Sequence, residues 1–403
     1  GAIGGHSDAF DWDRHLAHVS NIYDMLLPYI LSGGRLTEDN LGIRESGNGI
    51  PDLIDEARNE VDFFLSIRDG DAYSQGVTNP SVDWTTMFQA GCTTMAAWAN
   101  AANCAMLADA FRIAGIDSLR NRYTNEAVKA FNFASRQEDQ QLDDFQDIGS
   151  IRMRGRDFRQ MAAAFLYNLT CDTSWEKIMV DGSVIKDDHT PLFKRGHDGY
   201  YQLWAAAAYL TCPNNRHDGA FYENLKASVK AHAADYNINK VSLRPSRRAA
   251  TDVRWQTSQN LQLVMLAHYL TTDPQERDLL EDVMYTEASW SLGRNPGNIV
   301  EMTGLGTRHL ENVYSTGRND GAPGTHPGQT PFNGTETWSP GHNGGDGRLL
   351  TNHCYPSWND GGWPRQESYF NQRYFWVNGE FTPRETMRGK MALMGYLYAI
   401  RNQ

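Results

Sequence analysis

No apolar run in this 403-residue chain approaches the ~18–20 residues that a membrane span needs, because polar residues interrupt each one. The chain is not basic either. Against 49 Asp and Glu stand 37 Lys and Arg, a formal net charge of −12, which argues against a nucleic-acid partner. Cysteine is scarce: Cys92, Cys104, Cys171, Cys212 and Cys354 include no CxxC and no His at ligand spacing. That excludes a recognisable zinc site and leaves buried free thiols as the expectation. Strand-like alternation is almost absent, and no repeat of fixed period stands out. The chain opens on Gly1 with no initiator Met and no signal-like stretch, as a processed chain would.

What is present is helical periodicity, in a chain long enough for a sizeable core. The pattern predicts helices over 12–31, from near Pro51, over 119–135, 158–168, 173–179, 199–211, 221–236, 253–270, 274–292 and 383–402. Residues 85–115 are rich in Ala, Met and Cys on nearly every side, as in a helix buried between neighbours. Roughly eleven helices with short connections suggest six antiparallel pairs stacked in a ring, a single all-α domain over 1–403. The exception is 293–381, which is rich in glycine, Trp and Tyr and lacks periodicity. A loop of that length with that aromatic content reads as functional, and flat rings such as Trp376 suit stacking on sugar faces.

Two acidic segments carry chemistry. Asp8, Asp11 and Asp13 fall within six residues just before the first helix. Asp8 and Asp11 are three apart and would share a face in a helical turn, where each raises the other's pKa and one can activate water. Equally, Asp11 or Asp13 would suit a helix N-terminus. Near the other end, Thr382, Pro383 and Glu385 have the form of a capping box, which gives Glu385 a structural role. Glu380 has no such role and is the better candidate acid.

Gly47-Asn48-Gly49-Ile50-Pro51-Asp52-Leu53-Ile54-Asp55-Glu56-Ala57 resembles the GNGIPDxLDE signature of glycoside hydrolase family nine. Ser291-Leu292-Gly293-Arg294-Asn295-Pro296, followed by Thr303-Gly304-Leu305-Gly306, is similar to its LGRNP…TGFG, and Gly4-Gly5-His6-Ser7-Asp8-Ala9-Phe10-Asp11 resembles its GGWxDAGD. The resemblance covers essentially the whole chain. It implies an (α/α)6 barrel and an inverting glucanase that needs no cofactor. Asp11 would be the general base, Asp8 its helper on the water, and Glu380 the acid. Glu385 is the acid if the last helix is aligned without a gap. Members often carry structural calcium, so a structural calcium ion is compatible with the acidic patch Asp143, Asp144 and Asp147, although its spacing fits no EF-hand. Many also carry an immunoglobulin-like module ahead of the catalytic domain, and this sequence starts just upstream of Asp8.

The sequence departs from the family in two places. Phe10 replaces a glycine beside the base. The His-His-Arg sugar-binding segment is replaced by Arg308-His309-Leu310-Glu311-Asn312-Val313-Tyr314-Ser315-Thr316-Gly317-Arg318, where Arg308, His309, Tyr314 and Arg318 are candidates for substrate contact, together with His197 and Trp376. Arginines at 152, 154, 156 and 159, and again at 244, 247, 248 and 254, suit acidic sugars or form a solvated, paired surface. The expected protein is a secreted or periplasmic hydrolase of a β-linked glucan or a related decorated or acidic polysaccharide. The alternative is a polysaccharide lyase using Tyr314 with Arg308 and His309 on a uronic-acid polymer; a third class, a binding protein without activity, is opposed by the retained Asp8, Asp11 and Glu380.

Overall fold

The computed structural model describes residues 3–7, 14–78, 86–148, 151–239, 261–295, 297–313, 326–331, 379 and 381–401. Among these are eleven helices. They are α1 (Ser20–Leu31), α2 (Asp52–Ser66), α3 (Thr94–Ala114), α4 (Asp117–Ser135), α5 (Gly155–Thr170) and α6 (Thr173–Asp181). Then come α7 (Leu203–Leu210), α8 (Gly219–Ala233), α9 (Leu261–Leu270), α10 (Pro274–Ser291) and α11. The last is composite: Pro383–Thr386, a π turn over Met387–Met391, then Ala392–Ile400.

The helices begin where the side chains can satisfy orphan N–H groups. Thr93 accepts from Ala96 N at 3.1 Å, Asp218 from Phe221 N at 2.8 Å and Asp273 from Glu276 N at 2.8 Å. At its far end α3 stops on Gly115 at φ 74°, in the left-handed conformation. Small Ala side chains bury α3 on every side and let its neighbours approach closely. The odd-numbered helices form a closed inner ring: α1 packs on α3, α3 on α5, α5 on α7, α7 on α9, α9 on α11, and α11 back on α1. Outside them α2, α4, α6, α8 and α10 each pack on a sequence neighbour. This is the (α/α)6 arrangement. The lumen is filled: the Tyr23 and Trp204 rings lie 4.8 Å apart, Tyr23 Oη donates to Asn103 Oδ1 at 2.5 Å, and Gln262 Nε2 donates to Asp24 Oδ1 at 2.8 Å.

Because successive helices alternate in direction, the inner helices all start at one rim. Short strands decorate it: β1 (Arg14–His15), β2 (Gly76–Thr78) and β3 (Phe88–Gln89) in one sheet, β4 (Phe145–Ile148) with β5 (Ile151–Arg154), and β6 (Phe193–Lys194) with β7 (Tyr200–Tyr201). They shorten three expected helices. The first starts at Ser20, because Arg14 and His15 pair with Val77 and Gly76. The third starts at Thr94, because Phe88 and Gln89 pair with β2. The seventh starts at Leu203, after β7. The thiols also differ from expectation: Cys104 and Cys212 are buried, but Cys92 and Cys171 are exposed, since Cys92 precedes α3 and Cys171 follows α5. Cys354 lies outside the described residues.

Candidate active site at the helix-start rim

Asp8, Asp11 and Asp13, Phe10, Tyr314, Arg318, Trp376 and Glu380 lie outside the described residues, as does the side chain of Glu385. The segments that flank the acids are described, and they converge. The single 3-10 turn Leu16–His18, which follows the Asp8–Asp13 stretch, packs against Pro383–Thr386, which follows Glu380. Phe381 forms an isolated antiparallel bridge with Pro331, and Thr330 Oγ1 lies 2.8 Å from Thr386 Oγ1. Through Thr303, whose N and O bond Gln329 O and Gly328 N at 3.0 and 2.9 Å, the loop after α10 is tied into the same place. Chain start, long loop and chain end thus meet at one rim.

Upstream of Asp8, residues 3–7 lie along α2. A side chain at Gly4 or Gly5 would collide with Asn59 Oδ1 or, at 2.6 Å, with the Phe63 ring, and both glycines have positive φ. The Gly-Gly pair is therefore required for the close approach. Beyond it His6 is held on three sides: Nε2 lies 2.7 Å from Glu56 Oε1, Nδ1 lies 3.1 Å from Asn21 Nδ2, and the backbone N donates to Glu60 Oε2 at 2.5 Å. Burial disfavours charge on His6, but the Glu60 and Glu56 carboxylates outweigh it and raise its pKa. Glu60, fully buried, is itself raised by burial against the pull of His6, while the hydrogen bond from His6 lowers Glu56. Neighbouring His18 is buried and held well below the usual histidine value, first by burial, then by His15 (ring stacked at 4.6 Å), Arg384 and His6.

The family-like motifs in the described chain are largely structural. Asn295 Nδ2 donates to Trp290 O at 2.7 Å and Ile299 O at 2.8 Å, closing the turn after α10. Gly304, at φ 73°, sits against Pro327, where a Cβ would come within 2.9 Å. At the opposite end of the barrel, Asp52 Oδ2 accepts from Leu41 N at 2.6 Å and Ser46 Oγ at 2.7 Å, and Asn48 Nδ2 donates to Asp55 Oδ2 at 2.7 Å.

Of the candidate substrate contacts, His309 turns back into its own loop: its Nδ1 lies 3.2 Å from Gly304 N and 2.7 Å from Leu310 O. Arg308 next to it is exposed, and its carbonyl accepts from Val300 N at 2.8 Å. His197 stands at the tip of the β6–β7 hairpin, 93% exposed, edge-on to Phe145 of β4 at 5.8 Å. The arginines of β5 and of the first turn of α5 are engaged within the protein: Arg152 with Asp147 at 2.8 Å, Arg156 with Asp143, and Arg154 with the carbonyls of Gly199 and Asp143. Arg152 and Arg154 also stack on the Phe145 ring, at 4.8 and 4.3 Å. Of the arginines at 244–254, all lie outside the described residues. The acidic patch is likewise taken up, Asp144 by Gln141 at 3.1 Å, and among the described residues no three ligands group to hold a metal ion. The His6–Glu56–Glu60 cluster is not evident from the sequence as a site. Its signal was a histidine after two glycines, with two glutamates one helical turn apart on α2.

The sequence profile of glycosyl hydrolase family 9 matches residues 19–343. Among solved structures the chain is similar to a family 9 protein of Bacteroides ovatus, 18% identical over 98% of this chain and 72% of that one, with a TM-score of 0.73. It is also similar to an endoglucanase from Alicyclobacillus acidocaldarius, 15% identical over 98% and 75%, with a TM-score of 0.70. A third likeness is to the endoglucanase CelQ from Clostridium thermocellum, solved with cellotriose, 13% identical over 98% and 64%, with a TM-score of 0.63. No curated protein matches. Nothing in these comparisons favours elimination chemistry. With its ring of helices, its rim of converging chain ends and a profile match over most of its length, the chain belongs to glycosyl hydrolase family 9.

Proposed function

We propose that this polysaccharide-degrading glycoside hydrolase cleaves a β-linked glucan, or a decorated or acidic relative of one, by inverting single displacement. Asp11 draws a proton from water, Asp8 helps to hold that water, and Glu380 protonates the departing glycosidic oxygen. Such a mechanism requires the two carboxyl groups on opposite faces of the bond, about 6.5–9.5 Å apart, with a water between. The observation that carries the reading is the packing of Leu16–His18 against Pro383–Thr386, which supports bringing residues from opposite chain ends to one site. The chemistry uses two carboxyls and water, so no cofactor is invoked; a bound calcium ion would be structural. Polymeric substrate accords with a secreted or periplasmic location. Likenesses to endoglucanases, one of them solved with cellotriose, make β-glucans the first substrates to try.

The test is Asp11→Asn and Glu380→Gln, assayed on β-glucans and on acidic polysaccharides. Each is expected to lower kcat by about 10²–10⁴-fold with the fold intact. Full activity in either variant removes that residue from the mechanism. Loss in Glu385→Gln alone makes Glu385 the acid.

A further inference from the structure

Hydrolysis by two carboxyls does not use His6, Glu56 or Glu60, yet these form the best-connected polar cluster next to the acid-bearing segment. The arrangement is built rather than incidental. Two glycines at positive φ bring the chain within contact of Asn59 and Phe63, and three separate hydrogen-bonding groups then meet His6. Residue 6 stands only two positions before Asp8. We infer that His6 is a proton-dependent positioning residue, which in its imidazolium form clamps residues 3–7, the stretch that leads to Asp8 and Asp11, against α1 and α2. This rests on the reading of those two aspartates as the water-activating pair.

Both protonation states can be accommodated, but not equally. In the neutral ring Nε2–H donates to Glu56 and Nδ1 accepts from the Asn21 amide. In the imidazolium, Nδ1 carries a proton and needs an acceptor. Asn21 Oδ1 is buried without a hydrogen-bond partner among the described residues, and half a turn of the amide would present it to Nδ1. What changes is charge compensation. Glu60 is buried, its Oε1 has no hydrogen-bond partner among the described residues, and the cation beside it offsets its charge. The other groups compensate Glu60 less: Arg14 offsets part of its charge, behind the contribution of His6. Arg14, stacked 5.9 Å over Phe63, opposes the charge on His6, and buried His18 stays neutral between His15, Arg384 and His6. Loss of the proton of His6, two positions before Asp8 in the sequence, therefore leaves a buried carboxylate less compensated. The carboxylates outweigh burial and raise the pKa of His6, which sets the direction: the clamp holds at lower pH and loosens as pH rises.

The test combines kinetics with a direct titration. Glucan hydrolysis is followed against pH for the wild type, His6→Asn and Glu60→Gln, and the imidazole of His6 is titrated by NMR in protein with labelled histidine. The wild type should show a fall in kcat on the alkaline side at the pH where His6 titrates, with KM little changed. Glu60→Gln, which keeps an acceptor for the backbone N–H but has no charge to compensate, should move the NMR midpoint to lower pH and flatten the alkaline limb. His6→Asn should lose that limb and run at the reduced rate throughout. A role in stability alone would lower the melting temperature of His6→Asn and leave the limb in place, and that result overturns the inference. So does an NMR midpoint that Glu60→Gln does not move. Activity retained in Asp11→Asn would instead sink the catalytic reading, while the NMR titration would still report on the clamp.

Discussion

One helix, α2, carries two pairs of carboxylates in very different company. At its start Asp52 and Asp55 face donors that keep their protons at any ordinary pH: the Leu41 N–H, the Ser46 hydroxyl, the Asn48 amide and the Arg58 guanidinium at 2.8 Å. One to two turns on, Glu56 and Glu60 face an imidazole. The first pair locks a loop at the end of the barrel away from the helix-start rim, and its motif is the strongest family signature in the chain. The second pair holds the segment that leads to the proposed base. The signature segment thus serves two ends: Asp52 and Asp55 meet fixed donors, while Glu56, its last acid, and Glu60 beyond it meet a ring that can titrate.

The comparison can be broken at either end. Gly5→Ala should have the largest effect, since a Cβ would meet the Phe63 ring at 2.6 Å from a backbone at φ 87°. Strain and overpacking together should cost roughly 3 kcal/mol in urea unfolding, with activity lost as the segment is displaced. Asp52→Ala removes the acceptor for Leu41 N and Ser46 Oγ and should cost about 1–3 kcal/mol. Its kcat and pH profile should match the wild type per folded molecule. An altered pH profile there would erase the distinction between the two pairs.

A smaller effect concerns pH and stability. His6 is raised in the fold, so its contribution is full below its ordinary value near 6.5 and is lost as pH climbs through the raised one. Glu56 is lowered, so its contribution is present above its ordinary value near 4.5 and is lost as pH falls through the lowered one. The His6–Glu56 pair should therefore stabilise most between those limits, and urea unfolding of His6→Asn across pH should show a flatter alkaline side than the wild type. Smallest of all, Asn48→Ala should cost about 1 kcal/mol and leave the kinetics untouched, as its two hydrogen bonds are confined to the far loop.

The ring of helices was legible because its periodicity is local: α3 announces itself by Ala and Met on all faces, although the cap at Thr93 that sets its start was not read. The strands were not legible. β1 is two residues long, and its partner β2 lies some sixty positions away, so no alternation could form within either. The arginines before α5 could be read from sequence as a substrate grip or as paired surface. Their partners Asp147, Asp143 and the Gly199 carbonyl emerge only when the hairpins fold together. The His6 cluster was missed for the same reason: fifty positions separate His6 from Glu56, and only the glycine pair hinted at a close approach.

Single displacement by opposed carboxyls fixes the stereochemistry of the product. Hydrolysis of a soluble β-glucan followed by proton NMR from the first minutes should show the α-anomer of the new reducing end first, with the β-anomer growing in only by mutarotation. Initial release of the β-anomer, or of an unsaturated sugar end, would contradict the account.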